Sequence, residues 1–317
     1  DSCLVGSDMC IRDRDGWSDI TNLYSGLNQL EPGRIMWEPN SDLNKYGTPM
    51  VLMTIPMFTD HESIEGLYFD SSITTPFHFV TVSGVAESPS NPVGGLSYIN
   101  GDFDRGVRYM KELGVDYFIS YTDSITDKAI MSDELENLFQ SSPFTVFKIY
   151  SDKVQVVDAE VVNFSQPELV ERISNSIFKQ EKTDSFFNLA MKEFKLDNKK
   201  RIIEGIDTEE SQIQNRIPGK KSEINNVRIS NNKITFETEH PNELHIVKVS
   251  YFPNWKIENG SGPYRLSPSF MGVIPYSNEV SITFENTSLE KSLNIVSLII
   301  FLLTAYLLVF RIKKYAE

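Results

Sequence analysis

The chain is short of the residues that usually carry metal and redox chemistry. It has two cysteines in 317 residues, Cys3 and Cys10, and both fall in the opening stretch DSCLVGSDMCIRDR. That stretch resembles a translated adapter sequence, so residues 1–14 are expected to be an artefactual leader. Without it, no disulfide or thiolate metal site can form in the remainder. The four histidines, His61, His78, His240 and His245, show neither H-x-H nor H-x-x-x-H spacing, so no metal site is expected. There is no G-x-S-x-G elbow, Walker A loop or G-x-G-x-x-G fingerprint. Positive charge is also scarce. The net charge is −14, and outside the C-terminal tail basic residues cluster only at Lys199–Arg201 and Lys220–Lys221. Such a surface repels phosphate backbones and argues against nucleic acid as a partner.

What the chain does have is a long apolar run, LNIVSLIIFLLTAYLLVF from Leu293 to Phe310, with no charged residue. As a helix it would rise about 27 Å, close to the hydrocarbon thickness of a bilayer. Its polar residues, Asn294, Ser297, Thr304 and Tyr306, form no stripe, unlike those of a core helix. Arg311, Lys313 and Lys314 follow directly, which marks that side as cytoplasmic. The expectation is a transmembrane helix over 291–312, a cytoplasmic tail over 313–317 and an extracytoplasmic location for residues 15–290. Such a domain needs a signal or an earlier span to cross, and residues 1–30 supply neither. The chain therefore reads as the C-terminal part of a longer membrane protein.

The pattern before the span predicts an α+β fold: a mixed α/β extracytoplasmic domain, then a small antiparallel β-sandwich, then the membrane helix. Over 15–157, helical spacing from Trp17 to Leu30 ends at Pro32-Gly33, and Arg34–Trp37 reads as a strand. Asp104–Leu113 reads as a helix capped by Gly114, followed by a strand over Val115–Tyr121. Thr145–Tyr150 and Lys153–Val157 suggest a hairpin around Ser151-Asp152. Residues 158–222 are polar, with helical spacing at Pro167–Phe178 and Ser185–Phe194, and read as a connector. Over 223–288 the apolar period becomes two, in Ile234/Phe236/Thr238 and Val280/Ile282/Phe284. The phase slips between Ile246 and Val249, which predicts a bulge near Val247-Lys248. Trp255 in YFPNW is expected to plug the sandwich core.

Two stretches mix carboxylates, hydroxyls and aromatic rings: WEPNSDLNKYGTP (37–49) and IEGLYFDSSITTPFHF (64–79). That combination can hold a sugar by hydrogen bonds and stacking, although Asn, Asp, Gly, Ser and Pro also build ordinary turns.

Together with SNPVGGLSY, FDRGVRYMKELGVDYFISY and VSYFPNWKIENGSGPYRLSPSFMGVIP, these stretches resemble the C-terminal half of multipass membrane proteins described as 6-pyruvoyl-tetrahydropterin synthase-related. That group is similar to YfhO-like and other GT-C type glycosyltransferases. The resemblance implies an extracytoplasmic region that works with a lipid-linked sugar and a glycan or lipid acceptor. Its catalytic acid, with any divalent metal, would belong to an earlier loop, so this part alone is expected to be inactive and free of cofactors. On that reading Glu38, Asp42, Tyr46, Glu65, Tyr68 and His78 are the ligand-facing candidates, while no catalytic residue carries over. The pterin part of the description finds no histidine triad here. The competing reading is a non-enzymatic, membrane-tethered binding or scaffold module of the cell envelope.

Overall fold

A computed structural model of the chain describes residues 16–65, 74–157, 159–162, 194, 201–204, 224–230 and 232–316. The first unit is built on a five-stranded sheet in the order β2-β1-β3-β5-β4. Its strands are β1 (Arg34–Trp37), β2 (Glu62–Ser63), β3 (Tyr117–Ser120), β4 (Leu135–Ser141) and β5 (Phe144–Ile149). β2, β1 and β3 run parallel, while β5 and β4 are antiparallel additions. One face is covered by α1 (Trp17–Leu27), by 3-10 turns at Ser41–Tyr46 and Val51–Thr54, and by α2 (Ile55–Phe58). The other carries α3 (Thr75–Val85), α4 (Phe103–Glu112) and α5 (Asp123–Met131).

Two more sheets follow. A six-stranded sheet has the order β6-β11-β14-β13-β8-β7. It joins β6 (Val154–Val156), β7 (Ala159–Val162), β8 (Arg201–Glu204), β11 (His245–Ser250), β13 (Gly260–Leu266) and β14 (Phe270–Pro275). A four-stranded sheet, β12-β15-β10-β9, is formed by β9 (Ile224–Ile229), β10 (Lys233–Thr238), β12 (Trp255–Glu258) and β15 (Glu279–Phe284). The last element is α6 (Ser288–Ala316).

The layers share their cores. Ile246, Phe270 and Ile274 pack with α3 and α4, whereas Val247, Met271 and Val273 pack with Ile234, Phe236, Trp255 and Ile282. The centre of the six-stranded sheet is thus buried on both faces, which explains why β14 is a continuous buried run, FMGVIP. The chain stacks as helix, sheet, helix, sheet, sheet. α3 and α4 cross at close range through Gly84 and Gly106: a Cβ on Gly106 would stand 2.5 Å from Val85 Cγ1 and 3.2 Å from the Gly84 carbonyl carbon.

The C-terminus of α4 shows how the halves are joined. Gly114 has φ 69°, and the amides of Gly114 and Val115 return to the carbonyls of Lys111 and Met110, closing the helix as a Schellman motif. Three cations then engage carbonyls at this end. Lys248 Nζ donates to Lys111 O at 2.8 Å, Arg34 Nη1 to Leu113 O at 2.7 Å, and Lys153 Nζ to Gly114 O. Lys248 and Lys153 belong to the second half, so this helix end is a junction. Burial pushes both lysines down to about 8; Glu112 opposes the shift at Lys248, while at Lys153 the Arg34 charge adds to it and Asp116 opposes it.

Several expectations are corrected. α1 stops at Leu27, three residues before Leu30, because Asn28, Gln29 and Leu30 close it with short turn bonds. The segments around Ser151-Asp152 are not a hairpin. β5 pairs with β3 and β4, while β6 crosses to the six-stranded sheet and pairs with β11. The polar connector contributes β7 and β8 to that sheet, and they pair in parallel, so the sandwich is larger than 223–288 and not purely antiparallel. The expected helix over Pro167–Phe178 lies outside the described residues. So does Ser185–Phe194, apart from Phe194, which is buried against Phe77 and Tyr109. The α4 helix, its Gly114 cap and the register slip after Val247 are as expected.

Candidate functional site

In open sheets of parallel strands, ligands settle at the carboxyl ends, where the connections diverge. Here Glu38 directly follows β1, Glu65 lies two residues past β2, and Tyr121 directly follows β3. Two of the acidic residues singled out by sequence therefore stand on the sheet edge where such sites form.

Glu38 is fully buried and points inward. Its Oε2 accepts the backbone N–H groups of Tyr121 and Thr122, each at 2.9 Å, and its Oε1 accepts the Thr122 hydroxyl at 2.7 Å and the Glu87 N–H at 3.3 Å. Thr122 is also the N-cap of α5, accepting from Ile125 N–H. A helix N-terminus is a ready anion site. In this protein the Glu38 carboxylate takes the two amides that lead into α5, those of Tyr121 and Thr122.

Glu65 and His78 come together. β2 delivers Glu65, Pro76 sets the first turn of α3, and His78 Nε2 lies 3.5 Å from Glu65 Oε2. Their side chains are only 13% and 4% exposed, yet among the described residues Glu65 Oε2 and both ring nitrogens of His78 have no hydrogen-bond partner. Buried polar atoms left in that state cost free energy unless something supplies the missing bonds.

The other candidates do not join this pair. Asp42 is exposed in a turn capped by Asn40. Tyr46 is buried in the core on the α1 side of the sheet, whereas α3 with His78 packs on the opposite side. Its hydroxyl donates to Asp19 Oδ2 at 2.9 Å, and burial followed by the Asp19 interaction raises its pKa. Tyr68 lies outside the described residues.

Two of the remaining histidines have internal partners. His61 Nε2 donates to the Leu27 carbonyl at 2.9 Å, at the end of α1, while Nδ1 accepts Gly33 N–H at 3.2 Å. His245 is bonded to Thr238 and to the Glu243 carbonyl, and burial pushes its pKa down to about 4. Among the described residues no group of three or more His, Cys, Asp or Glu side chains is arranged to hold a metal ion. Trp255 is 6% exposed and packs edge-on against Phe284, as expected for a core plug.

α6 differs from every other element. Its stretch from Ser288 to Tyr306 is long and apolar enough to cross a membrane, and none of it is buried in the fold. No family model matches the chain, and no curated protein or solved structure matches it.

Proposed function

We propose that this chain is the extracytoplasmic, membrane-tethered part of a GT-C-like glycosyltransferase, holding a sugar or its acceptor while the transfer chemistry belongs elsewhere in the protein. The observation that carries the reading is α6: an apolar helix with no protein around it needs an apolar solvent, and its length suits a bilayer. The holding role rests on Glu65 and His78, a pair at the carboxyl edge of the sheet whose buried polar atoms have no hydrogen-bond partner among the described residues. A carboxylate and an imidazole side by side suit a hydroxyl-bearing ligand, since one accepts and the other can donate. The non-enzymatic scaffold reading keeps one specific support: Glu38, the acid most central on that edge, is fully engaged with the protein's own amides.

The test is binding of polyprenyl-phosphate hexoses to the protein in nanodiscs. Glu65→Gln and His78→Ala should each weaken binding about tenfold or more, the scale of a lost hydrogen bond to a charged group. Unchanged affinity would remove the pair from the site. Absence of any sugar binding would leave the scaffold reading.

A further inference from the structure

The way α6 leaves the fold fixes what its neighbours must touch. Only three residues, Glu285 to Thr287, separate β15 from the helix, and each side of this joint is tied. The Thr287 hydroxyl accepts Glu290 N–H at 3.2 Å and Glu290 Oε2 accepts Thr287 N–H at 2.6 Å, a reciprocal capping box. Asn254, from the turn before β12, donates to the Glu285 carbonyl at 3.2 Å and to Glu290 Oε2 at 2.8 Å. Lys256 and Lys291 both pair with Glu285, at 3.4 and 3.7 Å. The helix is therefore stapled to the sandwich.

At this same end are the only phenylalanines exposed outside α6 among the described residues, Phe252 at 45% and Phe284 at 39%. Phe284 lies opposite Trp255 across β12 and β15, and Phe252 opens the turn that carries Asn254, its carbonyl accepting Trp255 N–H. The first five residues of α6, 288–292, rise about 7.5 Å, which matches the thickness of one headgroup layer. The apolar run then begins at Leu293. Geometry thus sets the two residues at the outer boundary of the headgroups, from which a phenylalanine ring can reach into the headgroup layer.

We propose that this end of the sandwich is itself a lipid-facing surface, with Phe252 and Phe284 seated in the headgroup layer and Asn254 holding the sandwich against the bilayer at a fixed tilt. The proposal rests on the reading of α6 as a membrane span. Because Glu285 and Glu290 at this joint together balance Lys256 and Lys291, the rings and not charge make the contact. Seating should therefore be the same in neutral and in anionic lipid.

Spin labels test this on the full chain in phosphatidylcholine vesicles, with Cys3→Ser and Cys10→Ser removing the native thiols. Labels go at Phe252→Cys, Phe284→Cys, Leu298→Cys in the span and Glu237→Cys on the exposed face of β10. The expected result is an oxygen-over-nickel-chelate accessibility at 252 and 284 between the values at 237 and 298, unshifted by phosphatidylglycerol. If 298 reads as hydrocarbon while 252 and 284 both read like 237, the lipid-facing surface is refuted and the anchor stands. If 298 itself reads like 237, the membrane reading falls and takes this proposal with it.

Discussion

Glu38 shows what a single carboxylate does when burial and partners are matched. Four donors surround it, two of them backbone amides at a helix start. They come from residues 49 to 84 positions away in the chain, so no local pattern could have placed them. The loop chemistry around Trp37–Pro49 makes it a ligand-facing candidate, and only the fold shows it turned inward. The substitution Glu38→Gln keeps the shape but points an amide group at N–H donors. We expect a loss of about 1–3 kcal/mol in urea unfolding of the detergent-solubilised chain. An unchanged midpoint would mean that the four bonds contribute nothing net. For Glu65 and His78 both residue types are legible in their loop chemistry, but the pairing is not, because it depends on β2 and α3 meeting at the sheet edge.

At the level of elements, local signals succeed where a stop or a cap is chemical and fail where a partner must be chosen. Gly114 announces the end of α4 because its left-handed backbone favours glycine. β14 and α3 carry no readable period, since both are buried nearly all round. Ser151-Asp152 breaks the chain between two strands, yet nothing in the alternation of β5 and β6 says that they enter different sheets. The α3–α4 crossing gives a sharp test. Gly106→Ala forces a methyl into Val85 and the Gly84 backbone, so a loss of about 1–3 kcal/mol in the same urea measurement is expected. Ala at Gly94, where nothing lies within 4 Å, should be tolerated. Equal effects at both sites would show that the helices can part without cost.

On the scale of the molecule, the two halves share a core, and the buried lysines at their junction add a pH dependence. Lys153 and Lys248 titrate near 8 in the folded chain against 10.5 as ordinary side chains. Between those values the unfolded chain binds more protons than the folded one. Stability therefore rises with pH from about 8 to 10.5, by on the order of 3 kcal/mol for each lysine if the others are unchanged. Urea unfolding across this range should show the upward slope, and Lys248→Met should flatten it. A slope that stays the same in the variant would assign the effect to other groups.

β15 carries α6 at its C-terminal end and lies inside its sheet, between β10 and β12. If α6 spans a membrane, as proposed above, any tension on it enters the fold along a strand held on both sides and tied by Asn254 to a third point. Two ladders must yield together, instead of one edge peeling bond by bond. α6 is thus joined to the fold through a mechanically resistant part of its structure.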